Sequence, residues 1–195
     1  MLEWIKIYGN DIDWVDAIAN KWARLFAQRL ARYTNVRGGP YHMGLYTVSA
    51  HVPMGQNVGA TPDGRLAKEP LADGGMSPVY GRDINGPTAV LKSVSKVHSE
   101  FGSNGTLLNM KFLPSLFKTV EGVNKFVSLM RAFVRLRIIH AQFNVVNRED
   151  LLAAMDHPEP YRSLTIRVAG YTAYFTELAP DLQQEIIART AFTDI

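Results

Sequence analysis

The chain contains no cysteine. That excludes disulfides, thiolate metal sites and any thiol nucleophile within these 195 residues. Charge of one sign is also scarce. The 21 basic and 18 acidic side chains are dispersed and leave a formal net charge of +3. Without a run of lysines or arginines there is no concentrated basic face, so nucleic acid is not an expected partner. No stretch approaches the roughly 18–20 apolar residues that cross a bilayer. Met1–Lys6 carries an acidic residue and no apolar core of signal-peptide length. No membrane partner is therefore expected, and the default compartment is the cytoplasm.

Other familiar chemistries are missing too. His42, His51, His98, His140 and His157 are scattered, with no His-x-x-x-His or adjacent His–Glu pair, so no metal site is expected. His140 reads instead as a hydrogen-bonded core residue at the start of a strand. Ser49, Ser77 and Ser103 sit in no Gly-x-Ser-x-Gly elbow. Thr61-Pro62-Asp63-Gly64-Arg65 lacks the Gly-Lys-Ser/Thr of a phosphate loop, and Pro-Asp-Gly is a turn signal. Gly102-Ser103-Asn104-Gly105 reads as a second turn.

What is present is an ordinary globular composition, 47% hydrophobic, enough for one domain or somewhat more. Trp14, Ile18, Trp22, Leu25, Phe26 and Leu30 recur at helical spacing and predict a helix over 14–33, with Asp13 as N-cap. From 36 to 106, repeated glycines and prolines predict loops around short strands, with Leu45–Val52 the best strand and a long ordered loop over 54–88. Thr119 is expected to cap a helix from Val120 to about Leu136, burying Val123, Phe126, Val127, Met130, Phe133 and Val134. His140–Val146 reads as a strand, and Asn147 can cap a short helix ending before Pro158. Thr165–Val168 and Tyr171–Phe175 read as extended segments, and Pro180 opens a last helix reaching about Thr190. Alternating strands and helices give a mixed α/β class.

Gly170 interrupts the apolar, β-branched stretch Leu164–Phe175. By pattern alone such a glycine marks a bulge, a bend or a close backbone approach. Arg167-Val168-Ala169-Gly170-Tyr171 also matches the Arg-Val-x-Gly-Tyr signature and resembles the glycyl radical enzymes, the family that includes pyruvate formate-lyase. Gln142-Phe143-Asn144-Val145-Val146, Pro158-Glu159-Pro160-Tyr161 and Leu182–Thr190 resemble the family's strand, connecting motif and closing helix. Gly59–Arg65, Pro70–Gly74 and Ser77-Pro78 resemble one of its loop regions.

The resemblance implies a fold, the C-terminal part of a ten-stranded β/α barrel, incomplete in this chain. Residues 1–120 are expected as a partial barrel segment and 121–195 as the glycine radical domain. It implies that Gly170 stores a radical on a loop entering the barrel centre, buried until activation, with Arg167, Val168 and Tyr171 positioning the loop for the activating enzyme. That partner would be a radical-SAM protein with a 4Fe–4S cluster; no cofactor bound to this chain is implied. An α-carbon radical between an amide nitrogen and a carbonyl is delocalised onto both, which needs a planar centre that a Cβ would crowd. In the family the radical passes to a cysteine upstream, absent here, so the chain alone is expected to be inactive. Glu3–Asp11 looks like the middle of a longer member, so the chain is expected to be an excised piece, a split or truncated gene product, or one subunit of a two-chain enzyme. The complete enzyme is expected to be a homodimer cleaving a C–C, C–O or C–N bond under anaerobic conditions. The motifs look more like the dehydratase, C–N lyase and decarboxylase branch than formate acetyltransferase proper; they assign no substrate-binding residue. The alternative is a non-catalytic spare part that supplies a radical domain in trans to an oxygen-damaged enzyme.

Overall fold

A computed structural model describes residues 6–97 and 102–195. Met1–Ile5 and His98 lie outside the described residues. Three parallel strands form one sheet in the order β2 (Gln142–Val145), β1 (Asn109–Phe112), β5 (Ala191–Phe192). Parallel neighbours need crossover connections, and the chain supplies them with helices. α4 (Val120–Arg135) joins β1 to β2, and α5 (Arg148–Asp156) and α6 (Pro180–Ala188) lie between β2 and β5. A separate antiparallel hairpin, β3 (Thr165–Arg167) and β4 (Thr172–Tyr174), is inserted between α5 and α6. Ahead of the sheet come α1 (Asp13–Leu30), the single-turn α2 (His51–Gly55) and α3 (Gly86–Lys96).

Alternation along the strands decides what each face of the sheet holds. Met110, Phe112 and Phe143 point to the helical side. There Phe112 is fully buried, with the rings of Phe117, Phe126, Phe143 and Phe192 between 5.7 and 6.4 Å away. Asn109, Lys111, Gln142 and Asn144 point to the other face, and register places Asn109 beside Gln142 and Lys111 beside Asn144. A second apolar cluster joins Leu151, Ile166, Val168, Phe175 and Ile186, fixing the hairpin between α5 and α6.

Several expectations change. Leu45–Val52 is not a strand: Leu45 makes one bridge to Thr106, and His51 begins α2. Gly86-Pro87 falls in the 36–106 stretch whose glycines and prolines predict loops, yet it opens α3, because proline loses nothing in a first helical turn. β1 was not foreseen either, its alternation being polar–apolar over only four residues. α1 ends at Leu30 rather than 33, and its N-cap is Ile12. Asp13 lies in the first turn instead, where its carboxylate meets Lys96 of α3 at 2.6 Å. The stripe of α1 that meets the core is Asp16, Ala19 and Ala23. Its large apolar residues face solvent in this chain, Trp14 at 59% and Trp22 at 61% exposure.

On α4, Thr119 Oγ1 accepts a bond from the Gly122 N–H at 3.0 Å, as the capping pattern predicts. Leu129 is buried, with Phe126, Met130 and Phe133 partly buried beside it, whereas Val123, Val127 and Val134 are exposed. Only a narrow stripe of the helix fits over the sheet. The long loop over 54–88 is ordered up to α3 by its own groups and by bonds to Thr47, His51, Leu107 and Thr190. Arg65, buried, donates to the carbonyls of Gly59, Leu66 and Glu69. The Gly64 N–H closes the expected turn on Thr61 O at 3.0 Å. The Gly105 N–H closes the other on Gly102 O at 2.9 Å.

Among the described residues no helix is long and apolar enough to cross a membrane. Phe112→Ala empties the centre of the aromatic cluster, and we expect it to lower unfolding free energy by about 3–5 kcal/mol, measured by denaturant titration.

Candidate functional site

The buried polar face of the sheet must find hydrogen-bond partners, and the hairpin supplies them. Val168-Ala169-Gly170-Tyr171 forms the tip between β3 and β4, closed by the Val168 N–H on Tyr171 O at 2.9 Å. Gly170 has φ +88°, a left-handed conformation that glycine adopts without steric cost. A Cβ there would stand 3.2 Å from Leu107 Cδ1.

Two backbone groups of the tip, the Gly170 N–H and the Val168 carbonyl, meet side chains from the sheet and from the residue that follows α6. The Gly170 N–H donates to Gln142 Oε1 at 3.1 Å. Gln142 Nε2 donates to Asn109 Oδ1, which fixes the orientation of its amide. Asn109 Nδ2 donates to Val168 O at 3.0 Å and to Asp73 Oδ2 at 2.5 Å. Val168 O also accepts from Arg189 Nη1 at 2.8 Å. One step back, Asn144 grips Arg167 twice: Nδ2 donates to its carbonyl at 2.8 Å, and Oδ1 accepts its N–H at 2.9 Å.

Behind this row lies a buried charge cluster. Arg189 makes a two-pronged pair with Glu185, Nε to Oε1 at 2.9 Å and Nη2 to Oε2 at 2.8 Å. Its Nε also lies 3.3 Å from Asp73 Oδ2, and His51 Nε2 lies 3.2 Å from Glu185 Oε2. Burial pushes Glu185 up, but His51 and Arg189 together outweigh it and hold the carboxyl below its ordinary value. Asp73 moves the other way: burial dominates and raises it, because the guanidinium fork is aimed at Glu185 and offers Asp73 a single, longer contact. Lys111 donates to the carbonyls of Ile186 and Ile187, both at 3.1 Å, capping the end of α6. Burial, reinforced by the Arg189 cation, pulls its ammonium from 10.5 down to about 8. A cavity of about 20 Å³, room for one water, lies among Asp73, Asn109, Lys111, Asn144 and Arg189.

The four residues singled out from the signature therefore lie together. Val168 is fully buried, and Arg167 bonds Thr172 Oγ1 at 3.0 Å through Nη1. Tyr171 is half-buried against the second apolar cluster. Gly170, whose loop was expected to be buried, is exposed in this chain although Val168 and Ala169 are not, because sheet and α6 cover only one side of the tip. Tyr174, in β4 just after the tip, is 47% exposed. His140 is no hydrogen-bonded core residue: it is half-buried, and its enclosed Nδ1 has no partner. Among the described residues, no three His, Asp or Glu side chains are grouped so as to hold a metal ion.

Asp73, Asn109, Lys111, Glu185, Arg189 and His51 were not anticipated as site residues. Gln142 and Asn144 were quoted only as part of a strand. The available signal was polar residues at every second position, Asn109-x-Lys111 and Gln142-x-Asn144, in otherwise apolar segments.

Residues 72–176 match the family described as "Glycine radical", and residues 1–55 match "Pyruvate formate lyase-like". The chain belongs to the glycyl radical enzyme family. The isethionate sulfite-lyase of Oleidesulfovibrio alaskensis is 44% identical over 97% of this chain and 23% of its own. Trans-4-hydroxy-L-proline dehydratase of Clostridioides difficile is 39% identical over 95% of this chain and 23% of its own. The glycerol-bound B12-independent glycerol dehydratase from Clostridium butyricum superposes with a TM-score of 0.91 at 47% identity, covering 95% of this chain and 24% of that one. The chain thus spans about a quarter of the length of the relatives it matches, and it is a partial piece of their barrel. It carries the glycyl radical domain of a lyase and dehydratase family.

Lys111 gives the site a pH signature. Its folded pKa of about 8 lies below the ordinary 10.5, so the unfolded chain binds the extra proton and stability rises with pH between them. Unfolding free energy should climb between pH 8 and 10, by an amount on the order of 2 kcal/mol. Lys111→Met, compared over the same range by denaturant titration, should lose that climb.

Proposed function

We propose that Gly170 is the residue on which this family's radical is stored, and that the chain supplies that residue and its supports to a larger catalytic assembly. The observation that carries the reading is the tip itself: a glycine at φ +88° in Arg-Val-x-Gly-Tyr, with its own N–H and the carbonyl two residues before it gripped by side chains. Loss of one α-hydrogen atom leaves a carbon that must flatten between its nitrogen and its carbonyl. No side chain on that carbon has to move into the peptide plane, and the fixed neighbours keep the two peptide groups in place around it.

In this reading a radical-SAM activating enzyme takes the hydrogen atom from Gly170, recognising Arg167, Val168 and Tyr171 around it. The spare valence is later filled by a hydrogen atom from a cysteine thiol of a segment outside this chain. The thiyl radical so formed opens a C–C, C–O or C–N bond of a small molecule. Residues 121–195 form the radical domain, and Asp73 and Asn109 of the preceding part reach into it. The complete enzyme is a cytoplasmic homodimer working without oxygen. The named relatives act on isethionate, hydroxyproline and glycerol, so the family spans several substrates and the radical site does not choose between them.

Anaerobic incubation with a radical-SAM activating enzyme tests this. Electron paramagnetic resonance should show a doublet, from coupling to the one α-hydrogen left on Gly170, and Gly170→Ala should show none. A spin that persists in Gly170→Ala would place the radical elsewhere.

A further inference from the structure

We infer that Gln142 and Arg189 are positioning residues that latch the Gly170 tip onto the sheet, and that the tip is released only when both let go. This rests on the reading of Gly170 given above and deepens it by naming what holds that residue in place. The tip turns two backbone groups inward, and each has a side-chain catch. Gln142 Oε1 takes the Gly170 N–H, and Arg189 Nη1 takes the Val168 carbonyl, which Asn109 Nδ2 also holds at 3.0 Å. The catches come from different elements, β2 and the residue following α6, so they converge only when sheet and helix are docked.

Neither catch is free to turn away. The other end of the Gln142 amide is bound to Asn109 Oδ1, and both Asn109 amide hydrogens are committed, to Asp73 and to Val168 O. The Nε and Nη2 edge of the Arg189 guanidinium is committed to Glu185, and Lys111 holds the helix end that carries Arg189. All of these contacts but the Asn109 bond to Val168 O lie outside the tip, so most of the orientation is set before the tip docks, which lowers the entropy cost of docking it. The two catches differ in kind: one is a neutral amide bond, the other is charge-assisted and buried, and so the stronger.

Hydrogen exchange of individual amides in the 195-residue chain, followed by NMR, tests the latch without needing a radical. Gln142→Met keeps length and removes the acceptor; Arg189→Lys keeps the charge and removes the fork. In both, the Gly170 N–H should exchange roughly tenfold faster than in the parent chain, while amides of α4 keep their rates. Unchanged exchange at Gly170, or equal acceleration across α4, overturns the latch, the second outcome by showing that these residues only hold the fold together. A parallel activation of Gln142→Met should build its spin signal faster than the parent. If neither protein acquires a spin, the radical reading falls while the exchange result still decides the latch.

Discussion

A polar group taken out of water must be bonded, and in this chain that requirement is concentrated at one hairpin tip. The sheet places four polar side chains on a buried face, where they would be costly if left alone. The tip of β3–β4 carries backbone donors and acceptors that no neighbouring strand can serve. Each set satisfies the other: Gln142, Asn109 and Asn144 meet Gly170, Val168 and Arg167. The rest of the arrangement follows from making that meeting possible.

The charge cluster behind the row follows the same logic on a larger scale. Arg189 alone at that depth would be prohibitively desolvated, so Glu185 answers it through two prongs and Asp73 through a longer contact. The buried pair adds little net stability but gives a definite orientation, because the guanidinium is planar and its fork has one good fit. Lys111 supplies the corresponding order at the end of α6, at the expense of a depressed pKa. A site meant to hold one glycine in one conformation needs this kind of rigidity more than it needs stability.

Outside the site the chain is visibly unclosed. Large apolar side chains of α1 and α4 reach solvent, and one side of Gly170 is open. The chain spans about a quarter of the length of the relatives it matches. A helix whose wide apolar stripe meets the core only through Asp16, Ala19 and Ala23 carries more hydrophobic surface than this chain can cover.

The sequence by itself determined the α/β class, α4 with its Thr119 cap, α5, α6 and the extended arms around Gly170, because helical periodicity, caps and a first-turn proline act over a few residues. It also determined the family, through Arg167–Tyr171 and the segments flanking it. It misplaced Leu45–Val52 and passed over α3, since glycine and proline look alike in a loop and at a helix start. What only the tertiary structure decided is the company Gly170 keeps. Asp73, Asn109, Gln142 and the Glu185–Arg189 pair are far apart along the chain, and they are brought together by strand register and by the docking of α6. Register is a long-range choice, settled when the aromatic face packs around Phe112, and that packing turns the polar face toward the glycine.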